Sequence, residues 1–416
     1  MNAPESPHAS GWYLTSVASF MIPAGIQMVM LPYLLAIELQ QPAARFGLTQ
    51  MMGQLPMLLF LLFGGLLADR VDPRRLLVGL HAAAAIMPVA LATLLWQGAL
   101  SEPALVLYAL AWGLVTAFAL PTRDGLLRRV AGHNVQRMVT LAIGMQFGGQ
   151  MAGQALGGRA AHWGSISILL AQAALVALGI VAVARLPGGR PARPPAGEPG
   201  RRSLWRELGG GLAVIFADAP MRAAFLIALG TGVFFSGVLI VIIPLAIRDL
   251  FAGDAQDIAF GFIAFGIGTL LTIVTLTRLG GLTYPIRALA QSMVLGCAAL
   301  APMLVALPKW AFYLCVLVWG VGGGIAMVTS RTVLQERAPA THQSRVMALQ
   351  TLATMGSSPV SALICGFAVS LLGARWALLV PIVGVATVTL GTLATHSIWW
   401  QRSESGHDGR VAHPES

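Results

Sequence analysis

The sequence predicts an all-α membrane protein with twelve transmembrane helices in two pseudo-symmetric six-helix bundles. Two observations lead to this fold class. Apolar residues make up 56% of the chain and charged residues only 10%, whereas soluble domains carry about 25% charged residues, so most of the surface is expected to face lipid. In addition, one local pattern occurs twice, half a chain length apart, which is typical of a duplicated bundle with a shared central site.

The repeat consists of residues that recur at a constant offset. The pairs that lie 208 positions apart are Thr122-Arg123 with Ser330-Arg331, Leu126 with Leu334, Arg129 with Arg337, Arg137 with Arg345, Gly148 with Gly356 and Gly158 with Gly366. Near the front of each half, Gly25, Val29 and Pro32 are matched by Gly237, Val241 and Pro244. Because these positions lie mostly in apolar segments, the repeat predicts two similar groups of membrane helices.

Twelve apolar stretches are the predicted spans. Most exceed the roughly 20 residues that cross the hydrocarbon core as a helix. Helices are favoured because the alternating strands of a membrane barrel would not produce continuous apolar runs. The stretches are 11–37, 45–68, 75–97, 101–121, 136–160, 165–184, 222–247, 256–277, 286–306, 310–330, 346–372 and 376–400.

A segment rich in proline and glycine separates the two halves. Residues 186–202 contain five prolines and four glycines, a composition that prevents a regular helix. Ser203 then provides a helix N-cap and Trp205 an interfacial anchor. The predicted organisation is an N-terminal six-helix bundle in 1–185, a cytoplasmic linker with a short interfacial helix in 186–219, a C-terminal six-helix bundle in 220–400 and a disordered cytoplasmic tail in 401–416.

The distribution of basic residues predicts the orientation. With both termini in the cytoplasm, 21 of the 26 basic residues lie on the cytoplasmic side and five on the other, namely Arg45, Arg159, Arg248, Lys309 and Arg375. Cytoplasmic loops carry such an excess, which predicts a multi-pass protein of the bacterial cytoplasmic (inner) membrane. The net charge of +10 has the same origin. Scattered over short loops, these residues do not indicate nucleic-acid binding.

The loop between the second and third spans carries the most specific motif, Gly65-Leu66-Leu67-Ala68-Asp69-Arg70-Val71-Asp72-Pro73-Arg74-Arg75. Gly65 permits close helix packing, and a carboxylate at the inner membrane boundary is costly unless it is paired. The motif resembles the signature of the major facilitator superfamily, a Gly-x-Leu-Ala-Asp-Arg core followed by basic residues. It departs from that signature at Asp72, where glycine is common, and at Pro73, where a basic residue is usual.

The resemblance covers the whole chain and implies a gate. In that family the motif acid and the distal arginine form a cytoplasmic lock with a carboxylate at the end of the fourth helix, and the lock holds the outward-facing state. The matching residues are Asp69, Arg74 and Asp124, with Arg70 in the same loop. These residues are therefore expected to act in gating and not to bind substrate.

A glycine ridge in the fifth span is the second motif. Gly149, Gly153 and Gly157 recur every fourth residue with Gly158 beside them, so they share one helix face and favour close packing. The ridge resembles the antiporter motif of exporting family members, with Gln154 in place of its proline, although ordinary helix packing explains it equally well. Pro359 predicts a kink in the matching eleventh span. The residues 345–349 and the general layout resemble the enterobactin-exporter and macrolide-efflux branch.

The resemblance also implies a central cavity lined by the first, fourth, seventh and tenth spans. The polar and aromatic candidates are Gln27, Trp112, Thr116, Phe234, Phe235, Ser236 and Trp319, with Gln146, Gln150, Gln350 and Thr351 from the fifth and eleventh spans. A mostly apolar wall with a few hydrogen-bonding groups suits a lipophilic ligand of drug size. Helix packing remains the alternative role for each of them.

No acidic or basic residue lies near the middle of a predicted span, so a highly charged substrate is not expected at midplane. If protons drive transport, Glu38 and Asp249 are the candidates, at the outer ends of the first and seventh spans. The alternative is that both are exposed carboxylates at helix ends. His81 and His162 are open to the same two interpretations, titration or packing.

The predicted function is secondary active transport. The chain has no Walker lysine pattern, nucleophile elbow or zinc-protease motif, so no catalysis, cofactor, metal or ATP drive is expected. We predict a monomeric, proton-coupled exporter of amphipathic small molecules of the drug or siderophore class, which works by alternating access. The alternatives are an importer or lysophospholipid flippase on the same scaffold, a transport-dead membrane sensor, and an integral-membrane enzyme.

Overall fold

The structure is a computed structural model that describes residues 7–68, 71–131, 135–186, 188, 204–279 and 282–393. Within these residues the regular structure is entirely helical. Nearly half of the predicted linker, including the predicted N-cap Ser203, and the whole of the predicted tail lie outside them.

Seven helices make up the described part of the first half. They are α1 (Pro7–Tyr33), α2 (Ala43–Ala68), α3 (Pro73–Trp96), α4 (Glu102–Val130), α5 (Val135–Gly157), α6 (Ala160–Trp163) and α7 (Ser165–Ala184). A π-helical turn, Leu34–Glu38, extends α1. Local sequence explains the start of α3, where the Asp72 carboxylate accepts a hydrogen bond from the Arg74 backbone N–H at 3.0 Å and Pro73 occupies the first turn.

Nine helices follow in the second half. They are α8 (Leu204–Ala217), α9 (Ala219–Gly230), α10 (Ile243–Phe251), α11 (Ala255–Arg278), α12 (Pro285–Leu300), α13 (Lys309–Arg337), α14 (Gln343–Thr351), α15 (Ser358–Trp376) and α16 (Leu379–Leu393). Two π-helical turns, Thr231–Phe235 and Val238–Ile242, lie between α9 and α10, and a third, Leu352–Gly356, lies between α14 and α15. Turns of this kind are frequent at functional sites.

Each predicted span has a helical counterpart, and nine of the described helical segments are long and apolar enough to cross a membrane. The predicted ends of two spans were wrong. The fourth span was predicted to end at 121 and the tenth at 330, but α4 continues to Val130 and α13 to Arg337. The apolar run of the fourth span ends just before Arg123. The helix continues beyond this arginine because Leu126, in the next turn, is still fully buried.

Contacts group the chain into two units. The first contains the described residues of 1–198, 237–263 and 358–374, and the second those of 199–236, 264–357 and 375–416. Parts of the seventh, eighth and eleventh spans therefore belong to the same unit as the N-terminal helices. The bundle boundaries predicted from the sequence remain a prediction.

Each unit has its own helix pairs. In the first unit α1 packs along α5 and α7, α2 along α4, and α3 along α7. A continuous hydrophobic core there includes Tyr13, Phe20, Leu77, Leu126 and Val176. In the second unit α12 and α9 pack on α13, and α8 packs on α14.

The repeat also occurs in the backbone. The described residues include two non-glycine residues with positive φ, Gln40 at 46° and Ala252 at 45°. They follow the ends of the first and seventh spans and lie as far apart in sequence as Gly25 and Gly237. Because a left-handed conformation is unfavourable for a residue with a Cβ, its recurrence at matched positions supports a duplicated structure.

Candidate functional site: a glutamine-lined cavity in the first unit

The first unit encloses a cavity of about 260 Å³. Its walls come from α1, α2, α4 and α5, and Ile240 and Phe262 from later in the chain also line it. Five of the residues predicted to line a substrate cavity are found here, namely Gln27, Trp112, Thr116, Gln146 and Gln150. The first, fourth and fifth spans therefore contribute side chains as the sequence suggested.

Sequence reasoning missed two polar side chains of the lining, Gln50 and Gln54. They lie one turn apart on α2, so both side chains point to the same side of the helix. The second span was not among those that the family resemblance assigns to the cavity. A pair of glutamines four residues apart within an apolar span was the signal that could have identified them.

The glutamines differ in how many of their groups are already hydrogen-bonded. The Gln50 Nε2 donates to the Ile240 carbonyl oxygen at 2.9 Å, and the Gln150 Nε2 donates to the Met28 sulfur. The Gln27 side chain is 6% exposed, and its Oε1 has no hydrogen-bond partner. A buried acceptor without a partner is unfavourable.

Aromatic rings form one wall of the cavity. Phe20 and Trp112 lie nearly parallel, with ring centroids 6.0 Å apart and an interplanar angle of 16°. The Thr116 hydroxyl donates to the Trp112 carbonyl oxygen at 2.9 Å and so is tied to its own helix. Both rings are among the residues that line the cavity.

A buried arginine lies next to the cavity. Arg123 is 8% exposed, and its Nη2 donates at 3.3 Å to the Oε1 of Gln146, which lines the cavity. Its Nε lies 3.8 Å from the carboxylate of Asp124, whose side chain is 71% exposed. Sequence reasoning placed Arg123 among the cytoplasmic loop residues, because the predicted span ended two residues earlier.

The Nη1 of Arg123 has no hydrogen-bond partner. Arg123 also lines a second, much smaller cavity of about 10 Å³, together with His81 and Ser16. His81 is buried, with its Nδ1 2.8 Å from the Leu77 carbonyl oxygen and its Nε2 unpartnered. His81 therefore packs in the interior of the first unit, whereas His162 is exposed on α6.

The candidates from the second half belong mostly to aromatic and polar packing in the second unit. The Trp319 ring centroid lies 4.6 Å from that of Phe265 and 5.7 Å from that of Phe235. Gln350 donates to the Ser330 hydroxyl at 3.0 Å. Phe234, Ser236 and Thr351 are half-buried in the same unit. None of these six lines the cavity described above, and a role in substrate binding remains a prediction for them.

The predicted gate is described only in part. Asp69 and Arg70 lie outside the described residues. Arg74 stands in the first turn of α3, and Asp124 pairs with its neighbour Arg123. Among the described ion pairs none joins Asp124 to Arg74, and the lock remains a prediction.

The predicted glycine ridge lies against α1. A Cβ placed on Gly153 would overlap the Ile22 carbonyl oxygen, and one on Gly157 would lie 3.0 Å from the Val29 Cβ. Gly149 is also in contact with α1, whereas a Cβ on Gly158 would lie 2.7 Å from that of Ala259. Pro359 follows the π-helical turn Leu352–Gly356 that interrupts the eleventh span. Gly65 lies in α2, in a stretch whose side-chain surroundings are outside the described part.

Close contacts in the first unit join N-terminal helices to the later segments. A Cβ on Gly47 would lie 2.7 Å from the Cα of Gly366, so α2 and α15 meet backbone to backbone. The Arg248 Nη1 donates to the Gln41 carbonyl oxygen at 2.8 Å. The contact between Gly158 and Ala259 adds a third such junction, directly after the end of α5.

The two predicted proton-coupling residues are not buried. Glu38 is exposed and accepts a hydrogen bond from the Ser165 hydroxyl at 3.3 Å. Asp249 is paired with Arg248, whose Nε lies 2.6 Å from its Oδ1. The described residues contain no group of three or more His, Cys, Asp or Glu side chains that could hold a metal ion.

Comparison with known proteins gives one sequence match and many structural matches. Residues 13–362 match the family described as Major Facilitator Superfamily. No curated protein sequence matches the chain. The nucleoside transporter NupG is similar with a TM-score of 0.73 and 15% identity, over 94% of this chain and 99% of that one.

Two further solved structures show the same fold. The POT family transporter PepTSo has a TM-score of 0.71 and 13% identity over 94% of this chain and 99% of its own. A bacterial homologue of the human lysosomal transporter Spinster, in an inward-facing and unoccupied conformation, has a TM-score of 0.67 and 11% identity, over 94% of this chain and 95% of that one. Similarity at this level of identity concerns the fold alone.

Proposed function

The chain belongs to the major facilitator superfamily of membrane transporters, and from this premise we propose that it exports amphipathic small molecules in exchange for protons by alternating access. The glutamine-lined cavity is the observation that carries the proposal. It combines an apolar and aromatic wall with a few polar groups, which is the usual composition of a site for a small organic ligand.

The close contacts of the first unit support the alternating-access part. Small residues at Gly47, Gly366 and Gly158 let helix backbones meet, and such contacts can separate without removing large interlocked side chains. In this proposal they close one end of the cavity in one state and open in the other.

A bulky residue at this contact tests the closure. Gly366→Val should keep α15 away from α2 and lower transport, whereas Gly79→Val, on an open face of α3 with no atom near its Cβ position, should have little effect. Transport by both variants is measured in proteoliposomes after their insertion and thermal stability are matched to the wild type. Equal transport by the two variants would remove this contact from the mechanism.

Substrate class and direction require a second experiment. Thermal unfolding of the purified chain is recorded with a panel of siderophores, macrolides and lysophospholipids, and compounds that stabilise it are assayed in everted and right-side-out vesicles. Export predicts accumulation in everted vesicles that depends on an imposed pH gradient. Accumulation only in right-side-out vesicles would favour the importer, and stabilisation without transport would favour the sensor.

Proton coupling is tested at the two carboxylates. In the proposal Glu38→Gln or Asp249→Asn weakens the dependence on the pH gradient but leaves substrate exchange in the absence of a gradient. If both variants keep full dependence on the gradient, neither residue carries the proton.

A further inference from the structure

One hydrogen bond joins two cavity-lining residues that are far apart in the sequence. The Gln50 Nε2, on α2, donates at 2.9 Å to the carbonyl oxygen of Ile240, in the π-helical turn Val238–Ile242 of the seventh span. Gln50 is 6% exposed, and both partners line the cavity. The bond therefore connects the second span to the seventh span at the cavity wall.

The sequence explains why this carbonyl accepts from another helix. In an α-helix the Ile240 carbonyl would accept from the N–H of residue 244, but residue 244 is proline, which has no N–H. Pro244 lies in the first turn of α10, directly after the π-helical turn. A carbonyl that is removed from water and lacks a donor is unfavourable, and the Gln50 carboxamide supplies the donor.

The repeat provides this donor in one half only. Pro244 corresponds to Pro32, at the offset that relates Gly25 to Gly237. The same offset pairs Gln50 with Phe262, which also lines the cavity but whose ring has no N–H or O–H group. The proline is therefore common to both halves, whereas the carboxamide that serves the freed carbonyl is an addition to the duplicated scaffold.

Other contacts hold the same segments together, at the junction where residues 237–263 and 358–374 meet the N-terminal helices of the first unit. They join Arg248 to the Gln41 carbonyl oxygen, Gly47 to Gly366, and Gly158 to Ala259. These six residues are not among those that line the cavity. Of these four described contacts, the bond from Gln50 to Ile240 is the one that links the junction directly to the cavity wall.

We propose that Gln50 is a positioning residue whose bond to Ile240 latches the seventh span to the second span and sets how readily the junction opens. Pro244 is the second part of this latch, because it leaves the Ile240 carbonyl open to Gln50. The inference rests on the proposed function, since it takes the junction as the closure that opens during alternating access. It adds the residue pair that controls the closure from the cavity side.

Opening of the junction is measured by double electron–electron resonance on the full chain in lipid nanodiscs. After replacement of the three native cysteines by alanine, spin labels are placed at the exposed Ala99, between α3 and α4, and Leu250, near the end of α10. Gln50→Met removes the donor at nearly constant length and should raise the ratio of open to closed junctions about fivefold, the effect of one net hydrogen bond. Gln136→Met, at an exposed position on α5, should leave the ratio unchanged.

Gln50→Glu gives a readout that a general loss of packing would not produce. A protonated carboxyl group can still donate to the Ile240 carbonyl, whereas the ionised carboxylate has no proton to donate and repels the carbonyl oxygen. The ratio should be near the wild-type value at low pH and rise with pH, while Gln136→Glu follows the wild type at each pH. Comparison at equal pH removes the titration of the charged groups near this junction, which are unchanged in both variants, namely Glu38, Arg45, Glu102, Arg248 and Asp249.

Pro244→Ala tests the origin of the free carbonyl without changing Gln50. Alanine restores an N–H that can donate to the Ile240 carbonyl within its own helix, so the ratio should rise. Adding Gln50→Met to Pro244→Ala should then have little further effect, because the two changes act on the same bond. A full fivefold effect of Gln50→Met in both backgrounds would overturn the role of Pro244.

The outcomes separate the inference from the proposed function, because these distances are measured without a substrate. If Gln50→Met leaves the ratio unchanged, or if Gln50→Glu has the pH profile of the wild type, the latch is wrong, and transport of a macrolide or siderophore would still support the proposed function. If the latch behaves as predicted but no compound of the panel is transported, the proposed function alone is contradicted.

Discussion

The crossing of the first and fifth spans and the crossing of the seventh and eleventh spans use the same geometry with different chemistry. In the first crossing, a Cβ on Gly25 would overlap the Gln150 carbonyl oxygen, and Gly153 lies directly against α1. In the second, a Cβ on Gly237 would overlap the Ser361 carbonyl oxygen. The repeat offset places Ser357, Ser361 and Cys365 where the first half has the ridge of Gly149, Gly153 and Gly157.

The difference shows which property of the repeat is retained. Both crossings keep a glycine on the first helix of the half, because the backbones approach too closely for a side chain there. The residues that face this glycine from the second helix of the crossing need not be glycines. In the crossing of the seventh and eleventh spans the Ser361 hydroxyl accepts a hydrogen bond from the Gly237 backbone N–H at 2.7 Å, so a small polar residue adds a side-chain bond to the backbone contact.

A second contrast concerns charge. Arg123 and Arg331 are equivalent in the repeat, yet Arg123 is buried beside the cavity and Arg331 is exposed. In each half a hydrogen bond joins the fourth and fifth spans. In the first half the donor is the charged Arg123 and the acceptor is Gln146. In the second half both partners are neutral, since Gln350 donates to Ser330. The two halves therefore do not contribute equally to the electrostatics of the transporter.

The largest expected effect tests an asymmetry in sequence. Asp69 has no acidic counterpart in the second half, because the offset that relates Gly25 to Gly237 places Gly281 at the equivalent position. Asp69→Asn should abolish transport while insertion remains intact, because the predicted lock loses its charge. Asp72→Asn is the matched control, since asparagine still caps α3. Normal transport by a correctly folded Asp69→Asn protein would remove the lock.

The next effect compares the repeated arginines. Arg123→Gln should lower transport about tenfold or more, since a hydrogen bond from a charged group contributes roughly 1.5–3 kcal/mol. Arg331→Gln, at the exposed equivalent, should change it little. Initial rates in proteoliposomes at equal protein content provide the measurement, and similar rates for the two variants would show that burial of Arg123 has no functional role.

A smaller effect tests the glycine ridge within α5. Gly153→Ala should destabilise the protein by about 1–3 kcal/mol, because its methyl group meets the α1 backbone. Gly148→Ala, on the same helix with open space around its Cβ position, should be neutral or slightly stabilising. Thermal unfolding in detergent distinguishes them. A similar loss in both would show that the crossing with α1 is not the cause, since alanine favours a helix more than glycine does.

The smallest effect tests the crossing of the seventh and eleventh spans. Ser361→Ala should cost about 1 kcal/mol, the typical net value of one hydrogen bond, because the Gly237 N–H loses its acceptor. Thr387→Ala is the control, since that exposed hydroxyl bonds only to the Val383 carbonyl oxygen of its own helix. Amide hydrogen exchange at Gly237 should increase in the first variant only, and unchanged exchange would contradict the assignment.

Several elements were predictable because they depend on local composition. Apolar length determines where helices occur, so each predicted span coincides with described helix, and composition together with the repeat led to the fold class. Four polar side chains of the cavity, Gln27, Thr116, Gln146 and Gln150, were also among the candidates. Helix ends were predictable only roughly, since Leu126 lies beyond the apolar run and is buried by residues distant in sequence.

The sequence by itself determined that the chain is a duplicated bundle of membrane helices, because hydrophobic length and repeated residues are properties of the chain alone. Only the tertiary structure decided that Gln50 and Gln54 face the cavity, that Arg123 is buried while Arg331 is exposed, and that Gln27 retains a free acceptor. These features depend on which helices are neighbours and at what rotation. Equal residues in a repeat acquire different environments once distant segments pack around them.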